Sequence, residues 1–200
     1  MIDLAPWEEA QRSEAQFWGQ CLNTFCEETK QLTYLDRMGF RKYHDGRGPF
    51  AFDAKGKSFI DIGGGPCSAL LKFNNLGQSA VMDPCLYPDW VYYRYRAAGI
   101  TVLRQPAEDL NWPLEGSRVG LFDVALIYNC LQHTIDPERI IRNARAASLE
   151  VHIFEWVNIP SHKGHPQELT QSDLERWAGC RGTLETFVGQ NECYGQAWFI

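Results

Sequence analysis

The stretch Phe59-Ile60-Asp61-Ile62-Gly63-Gly64-Gly65-Pro66-Cys67-Ser68 constrains this chain more than any other. A short apolar run carrying one acid ends in three consecutive glycines. A strand that turns sharply into a helix leaves the first N–H groups of that helix unpaired. Glycine lets a ligand approach such a backbone closely, because no Cβ intervenes. The same turn also serves as a tight connection with no ligand, so the rest of the sequence must discriminate.

A second acid points toward a ligand. Asp83 closes the next apolar run, Ser79-Ala80-Val81-Met82-Asp83, twenty-two residues after Asp61. That is near the ~20 residues at which an acid reaches a ribose hydroxyl in nucleotide-binding α/β folds. Its competing role is to cap the turn at Pro84. Further apolar runs fall at 100–103, 124–128, 151–155, 184–188 and 197–199. Helical patterns fall at 7–38, 68–74, 89–98, 137–147 and 171–178. Asp136 and Pro137 read as a helix N-cap and first residue. Thr170 and Asp173 read as a capping box, with Gly179 as the stop. Within 7–38, Phe17, Trp18, Cys21, Leu22, Phe25 and Cys26 belong to one apolar stripe, and Gly39, Gly46, Gly48 and Pro49 mark a loop after it.

Strands alternating with helices imply a parallel sheet covered on both faces. The last connection, with Gly189, Asn191 and Gly195, is too short for a parallel crossover, which takes a dozen or more residues. The final pair is therefore expected as an antiparallel hairpin. The fold expected is α/β: a Rossmann-like, seven-stranded, mostly parallel sheet with an antiparallel C-terminal strand, helices on both faces and an N-terminal helical extension. One domain is expected over 1–200, with a helical cap over 1–45 and the core over 50–200.

Composition narrows the function. A net charge of −6 argues against nonspecific binding to nucleic acid or anionic membrane, since phosphate binding needs a basic surface. No run reaches the ~18 apolar residues of a membrane span. The N-terminus has neither the basic nor the apolar region of a signal peptide, so a cytoplasmic protein is expected. The 7 cysteines contain no C-x-x-C pair, which predicts free thiols and no metal site.

Two later runs complete a pattern: Pro106-Ala107-Glu108-Asp109-Leu110, and Phe122-Asp123-Val124-Ala125-Leu126-Ile127-Tyr128-Asn129-Cys130-Leu131-Gln132-His133 followed by Asp136-Pro137-Glu138. With D-I-G-G-G-P and V-M-D before them, residues 50 to 200 resemble the class I S-adenosylmethionine-dependent methyltransferases, nearest to the small-molecule methyltransferase-domain branch. That family also ends its sheet on an antiparallel pair. The resemblance implies S-adenosyl-L-methionine as cofactor and S-adenosyl-L-homocysteine as product. It implies that Asp61, Gly63, Gly64 and Gly65 line the methionine end, that Asp83 and Pro84 meet the ribose, that Ala107, Glu108 and Asp109 flank the adenine, and that Tyr128 and Asn129 face the sulfonium. The pattern departs in three places. Cys67 stands where a third glycine is usual, Pro106 replaces a small acidic residue, and Ala147-Ser148-Leu149-Glu150 replaces a Pro-Gly-Gly turn.

The activity expected is methyl transfer to a small molecule, with the attacked atom (O, N or C) open. The alternatives are an inactive cofactor-binding partner subunit and an NAD(P)-dependent oxidoreductase. The second is disfavoured because Ser68 replaces the helix-packing glycine of G-x-G-x-x-G. His133 is the candidate base, since its loop emerges at the ligand-binding edge of the sheet; the competing reading is a histidine that only holds that loop. Glu155, Trp156 and His162, after the fifth long strand, are candidate substrate contacts, as is Trp18; Trp7, Phe17 and Tyr34 are candidate pocket walls. A metal on His162 and His165 is not expected. Trp90, Tyr93 and Arg94 share a helix face suited either to packing or to a subunit contact, and a monomer or homodimer is expected.

Overall fold

The structure, a computed structural model, describes residues 4–20, 24, 27–42, 51–110, 122–187 and 195–200. Cys21, Leu22, Phe25, Cys26, Gly46, Gly48, Pro49, Gly189, Asn191 and Cys193 lie outside them. The main sheet has seven strands in the spatial order β5-β4-β2-β6-β7-β9-β8. These are β2 (Phe59–Ile62), β4 (Ala80–Met82), β5 (Thr101–Leu103), β6 (Phe122–Tyr128), β7 (Ser148–Val157), β8 (Thr183–Phe187) and β9 (Gly195–Phe199). The first five in that order run parallel. β9 inserts antiparallel between β7 and the edge strand β8.

Strands buried on both faces need apolar residues at every position, and β6 shows why this chain qualifies. Val124, Leu126 and Tyr128 enter one core, with Phe59, Phe154 and Phe199. Ala125 and Ile127 enter the other, with Ile60, Ile153 and Trp198. Helices α2 (Glu27–Arg37) and α3 (Asp89–Ala97) cover the first face through Leu35, Val91 and Tyr95. Helices α4 (Pro137–Ala147) and α5 (Gln171–Ala178) cover the second through Ile140, Ile141 and Leu174.

The expected caps are present. Asp136 accepts from the Arg139 N–H at 2.9 Å, and Gly179 ends α5 in the left-handed region at φ +71°. Helix α4 runs into β7 without a loop, so Ser148 opens the strand while its hydroxyl donates to the Ala144 carbonyl at 2.7 Å. That is how the chain dispenses with a glycine turn there.

Two expected helices differ. The 7–38 pattern is two helices, α1 (Ala5–Trp18) and α2. The 68–74 pattern is one 3-10 turn, Ala69–Lys72, followed by the short strand β3 (Phe73–Asn74). Strand β3 pairs in parallel with β1 (Phe52–Asp53). Packing overrides helix propensity there: the Phe73 ring lies 5.2 Å from that of Phe52 and 5.1 Å from that of Phe59.

Candidate active site at the carboxyl edge of the sheet

The parallel strands deliver their C-terminal ends to one edge, and a cavity opens there. Its wall includes Gly63, Gly64 and Gly65 after β2, Asp83 and Pro84 after β4, Ala107 and Glu108 after β5, and Tyr128, Asn129 and His133 after β6. Two of the glycines are dictated by geometry. Gly63 has φ +70°, and a Cβ on it would lie 2.4 Å from the Cys130 Cβ. Gly65 has φ +60° with nothing within 4 Å of the same direction, so its backbone is bare on that side.

Below the turn, buried polar groups hold the loop. The Asp61 carboxylate accepts from the Ser68 hydroxyl. The Tyr95 hydroxyl accepts from the Ser68 N–H at 2.9 Å and donates to the Gly65 carbonyl. The Tyr128 hydroxyl accepts from the Ala69 N–H at 3.1 Å. Asp83 accepts from the Gly65 N–H at 3.0 Å through one oxygen and from the Cys85 N–H at 2.9 Å through the other.

The same device recurs around the edge. Glu108 accepts from the Ile135 and Asp136 N–H groups at 2.9 and 3.2 Å. Glu155 accepts from the Cys130 and Leu131 N–H groups at 2.8 and 2.9 Å. Asp83, Glu108 and Glu155 thus pin backbone turns at the sheet edge. Burial disfavours the charged form of a carboxyl group: it pushes Asp61 up to about 7, Asp83 up to about 6 and Glu155 up to about 8.

Helix α1 supplies another part of the wall. Trp7, Gln11, Glu14 and Trp18, at spacings of four, three and four, all line the cavity, so one face of α1 is turned to it. Glu14 accepts from the Trp18 indole N–H at 2.7 Å, and Gln11 receives the Cys85 thiol at 3.0 Å. His133 places Nδ1 2.8 Å from the Gly164 carbonyl and 3.7 Å from Glu14 Oε1. A carbonyl only accepts, so Nδ1 carries the hydrogen and Nε2 of the neutral ring keeps its lone pair. Burial lowers the His133 pKa, against an opposing pull from Glu14.

Some expected contacts lie elsewhere. Asp61 and Glu155 are fully buried beneath their turns and do not line the cavity. Asp109 and His162 are exposed and outside it. His165 lines it instead, its ring 4.4 Å from that of His133. Trp18, Trp156, Trp7, Phe17 and Tyr34 do line it. On the helix that carries Trp90, Tyr93 and Arg94, Tyr95 matters most here, because it reaches the glycine turn. Sequence reasoning missed Gln11 and Glu14, whose signal was their helical spacing with Trp7 and Trp18. Among the described residues no cluster of three or more His, Cys, Asp or Glu suits a metal ion, and no helix is long and apolar enough to cross a membrane.

No family model and no curated protein matches the sequence. Solved structures do. A chain in the complex between the Haloferax volcanii Trm112 methyltransferase activator and a methyltransferase is 12% identical, with 96% of this chain and 94% of that one covered and a TM-score of 0.57. The N-methyltransferase NodS from Bradyrhizobium japonicum WM9, in complex with S-adenosyl-L-homocysteine, is 12% identical over 88% of this chain and 85% of that one, with a TM-score of 0.53. An O-methyltransferase family protein from Burkholderia thailandensis is 13% identical over 73% of this chain, with a TM-score of 0.50. The chain spans 51% of that protein. At such identities the likeness is one of fold.

Proposed function

We propose that this chain, which has the class I S-adenosylmethionine-dependent methyltransferase fold, transfers a methyl group from S-adenosyl-L-methionine to a small-molecule acceptor. The observation that carries the reading is one cavity in which a bare glycine turn and a buried acid meet an aromatic helix and a neutral histidine. Open α/β sheets bind ligands at this edge.

The residues fit an adenosyl group with an amino-acid tail. Gly65 has open space where a Cβ would stand, which allows close approach by the tail, while its own N–H and carbonyl are already bonded to Asp83 and Tyr95. Asp83 lines the cavity with both oxygens oriented by backbone N–H groups, a carboxylate placed to accept from a ribose hydroxyl. Pro84 and Ala107 offer apolar edges to a purine. Bound there, the cofactor supplies a methyl group already activated by its positive sulfur. Positioning the acceptor within ~3 Å of that carbon is then most of the catalysis. His133 Nε2 takes the acceptor's proton, and α1 excludes water from the site.

Calorimetric titration with S-adenosyl-L-homocysteine tests the cofactor half, and transfer of labelled methyl from the donor to a metabolite pool tests the rest. Binding heat followed by a labelled product is expected. Titration without heat would sink the reading. Heat without any labelled product would favour a binding subunit that lacks catalysis.

A further inference from the structure

We infer that the acceptor carries an amine, bound as its ammonium against Glu14 and the aromatic face of α1; this rests on the methyltransferase reading and names its substrate class. The first ground is charge. Among the described residues, the cavity wall holds Glu14, Glu27, Asp83 and Glu108, and neither a lysine nor an arginine. An acceptor bearing carboxylate or phosphate would meet acids and no cation, a mismatch that acts against binding.

The second ground is which acid is committed. Asp83 and Glu108 accept from backbone N–H groups, and Glu27 pairs with Lys30 at 2.6 Å. Glu14 accepts the Trp18 indole N–H with one oxygen. Its other oxygen stands 3.7 Å from His133 Nδ1, whose hydrogen is given to Gly164. Glu14 therefore brings a carboxylate into the cavity beside a neutral imidazole.

The third ground is its surroundings. Trp7, Phe17, Trp18, Tyr34 and Trp156 share the wall. Aromatic faces attract ammonium groups, Trp most strongly, and a carboxylate among aromatic rings suits an ammonium better than an alcohol. The chemistry closes on the same residues. The bound ammonium first gives a proton to His133 Nε2. The nitrogen lone pair then forms the bond to the methyl carbon, while the electron pair of the broken carbon–sulfur bond is left on sulfur. The products are the methylated ammonium, the neutral thioether and an imidazolium that passes its proton to water.

Phenethylamine, 2-phenylethanol and phenylacetate share a shape and differ in charge, so they serve as probes. Each is titrated, by calorimetry and tryptophan fluorescence, into the chain saturated with S-adenosyl-L-homocysteine. Phenethylamine is expected to bind roughly tenfold more tightly than the alcohol, with phenylacetate weakest. Glu14→Gln should bring the amine and alcohol within about threefold of each other, while its Oε1 can still accept from Trp18; circular dichroism checks its fold. Equal or tighter binding of the alcohol or acid, no binding of any probe, or a preference that survives Glu14→Gln each overturns the inference. If S-adenosyl-L-homocysteine gives no heat, the methyltransferase reading fails by itself. The amine preference, measured without it, then decides only whether Glu14 and α1 hold an ammonium.

Discussion

The cavity has two kinds of wall, and they are held by different forces. The wall at the ends of β2 and β4 is rigid. Its turn is fixed by positive φ at Gly63 and Gly65, by close contact with Cys130, by Asp61 accepting from the Ser68 hydroxyl, and by Asp83, Tyr95 and Tyr128 bonding to backbone from buried positions. The wall formed by α1 and the 161–166 loop is held by side chains near solvent. Lys163 pairs with Glu9 at 2.7 Å, with 72% and 40% of their side-chain surfaces exposed; Phe17 is 54% exposed. Buried bonds to backbone are costly to leave unmade, whereas exposed pairs contribute little. The difference teaches that the ends of the parallel strands form a fixed cradle, while α1, tied by fewer buried bonds to backbone, is the wall better suited to adapt to an acceptor.

The largest test strikes the cradle. Gly63→Ala puts a side chain at φ +70° and 2.4 Å from the Cys130 Cβ. The backbone conformation and the overlap together should cost about 3 kcal/mol or more. For a chain of this size that lowers Tm by roughly 6–12 °C, which thermal unfolding followed by circular dichroism would register. A shift under about 2 °C would break the contrast.

Next is Asp83→Asn. Hydrogen bonds to a charged acceptor contribute about 1.5–3 kcal/mol each. Replacing the carboxylate should weaken S-adenosyl-L-homocysteine roughly tenfold to a hundredfold by calorimetry. An unchanged affinity would remove Asp83 from the cradle's function.

The buried acids also set a pH signature. Burial raises Glu155 from 4.5 to about 8 and Asp61 from 3.8 to about 7. The folded chain therefore keeps protons that the unfolded chain releases. Their stabilisation is complete at acidic pH, below the unfolded values, and is lost as pH climbs to about 8. His165, lowered by burial to about 4, and His133, also lowered, work in reverse: their stabilisation is present above about 6.5 and is lost on acidification. Tm should fall by a few degrees between pH 6 and 9, and Glu155→Gln should flatten that slope. A slope unchanged by the substitution would mean that Glu155 is ionised in the folded chain.

The two walls also differ in how far they can be read from sequence. The cradle is local: one run from Phe59 to Ser68 holds its strand, turn and cap, and Asp83 follows at a fixed spacing. The α1 wall joins residues remote in sequence, such as Gln11 with Cys85 and Glu14 with His133, which no local pattern pairs. Asp61 and Glu155 lie beneath their turns rather than on the cavity wall for another reason. An acid at a strand end can face a cavity or pin the neighbouring turn, and only the register between strands decides. The 68–74 segment read as helix because Ala69, Leu70 and Leu71 favour one, while the Phe52–Phe59–Phe73 cluster that extends it lies mostly upstream.

The smallest effect sharpens the contrast from the other side. Lys163→Ala removes the cation that ties the 161–166 loop to α1 through Glu9. Both partners are well exposed, so the pair is screened and gives up side-chain entropy to form. Tm should stay within about 2 °C of the parent, and S-adenosyl-L-homocysteine should bind as before, since neither residue lines the main cavity. Binding of an acceptor probe should weaken by no more than about threefold. A large loss of Tm would instead mean that α1 is locked to the sheet through this pair. The adaptable wall would then be as rigid as the cradle, and acceptor choice would rest on the shape of a closed site rather than on the chemistry of the face α1 presents.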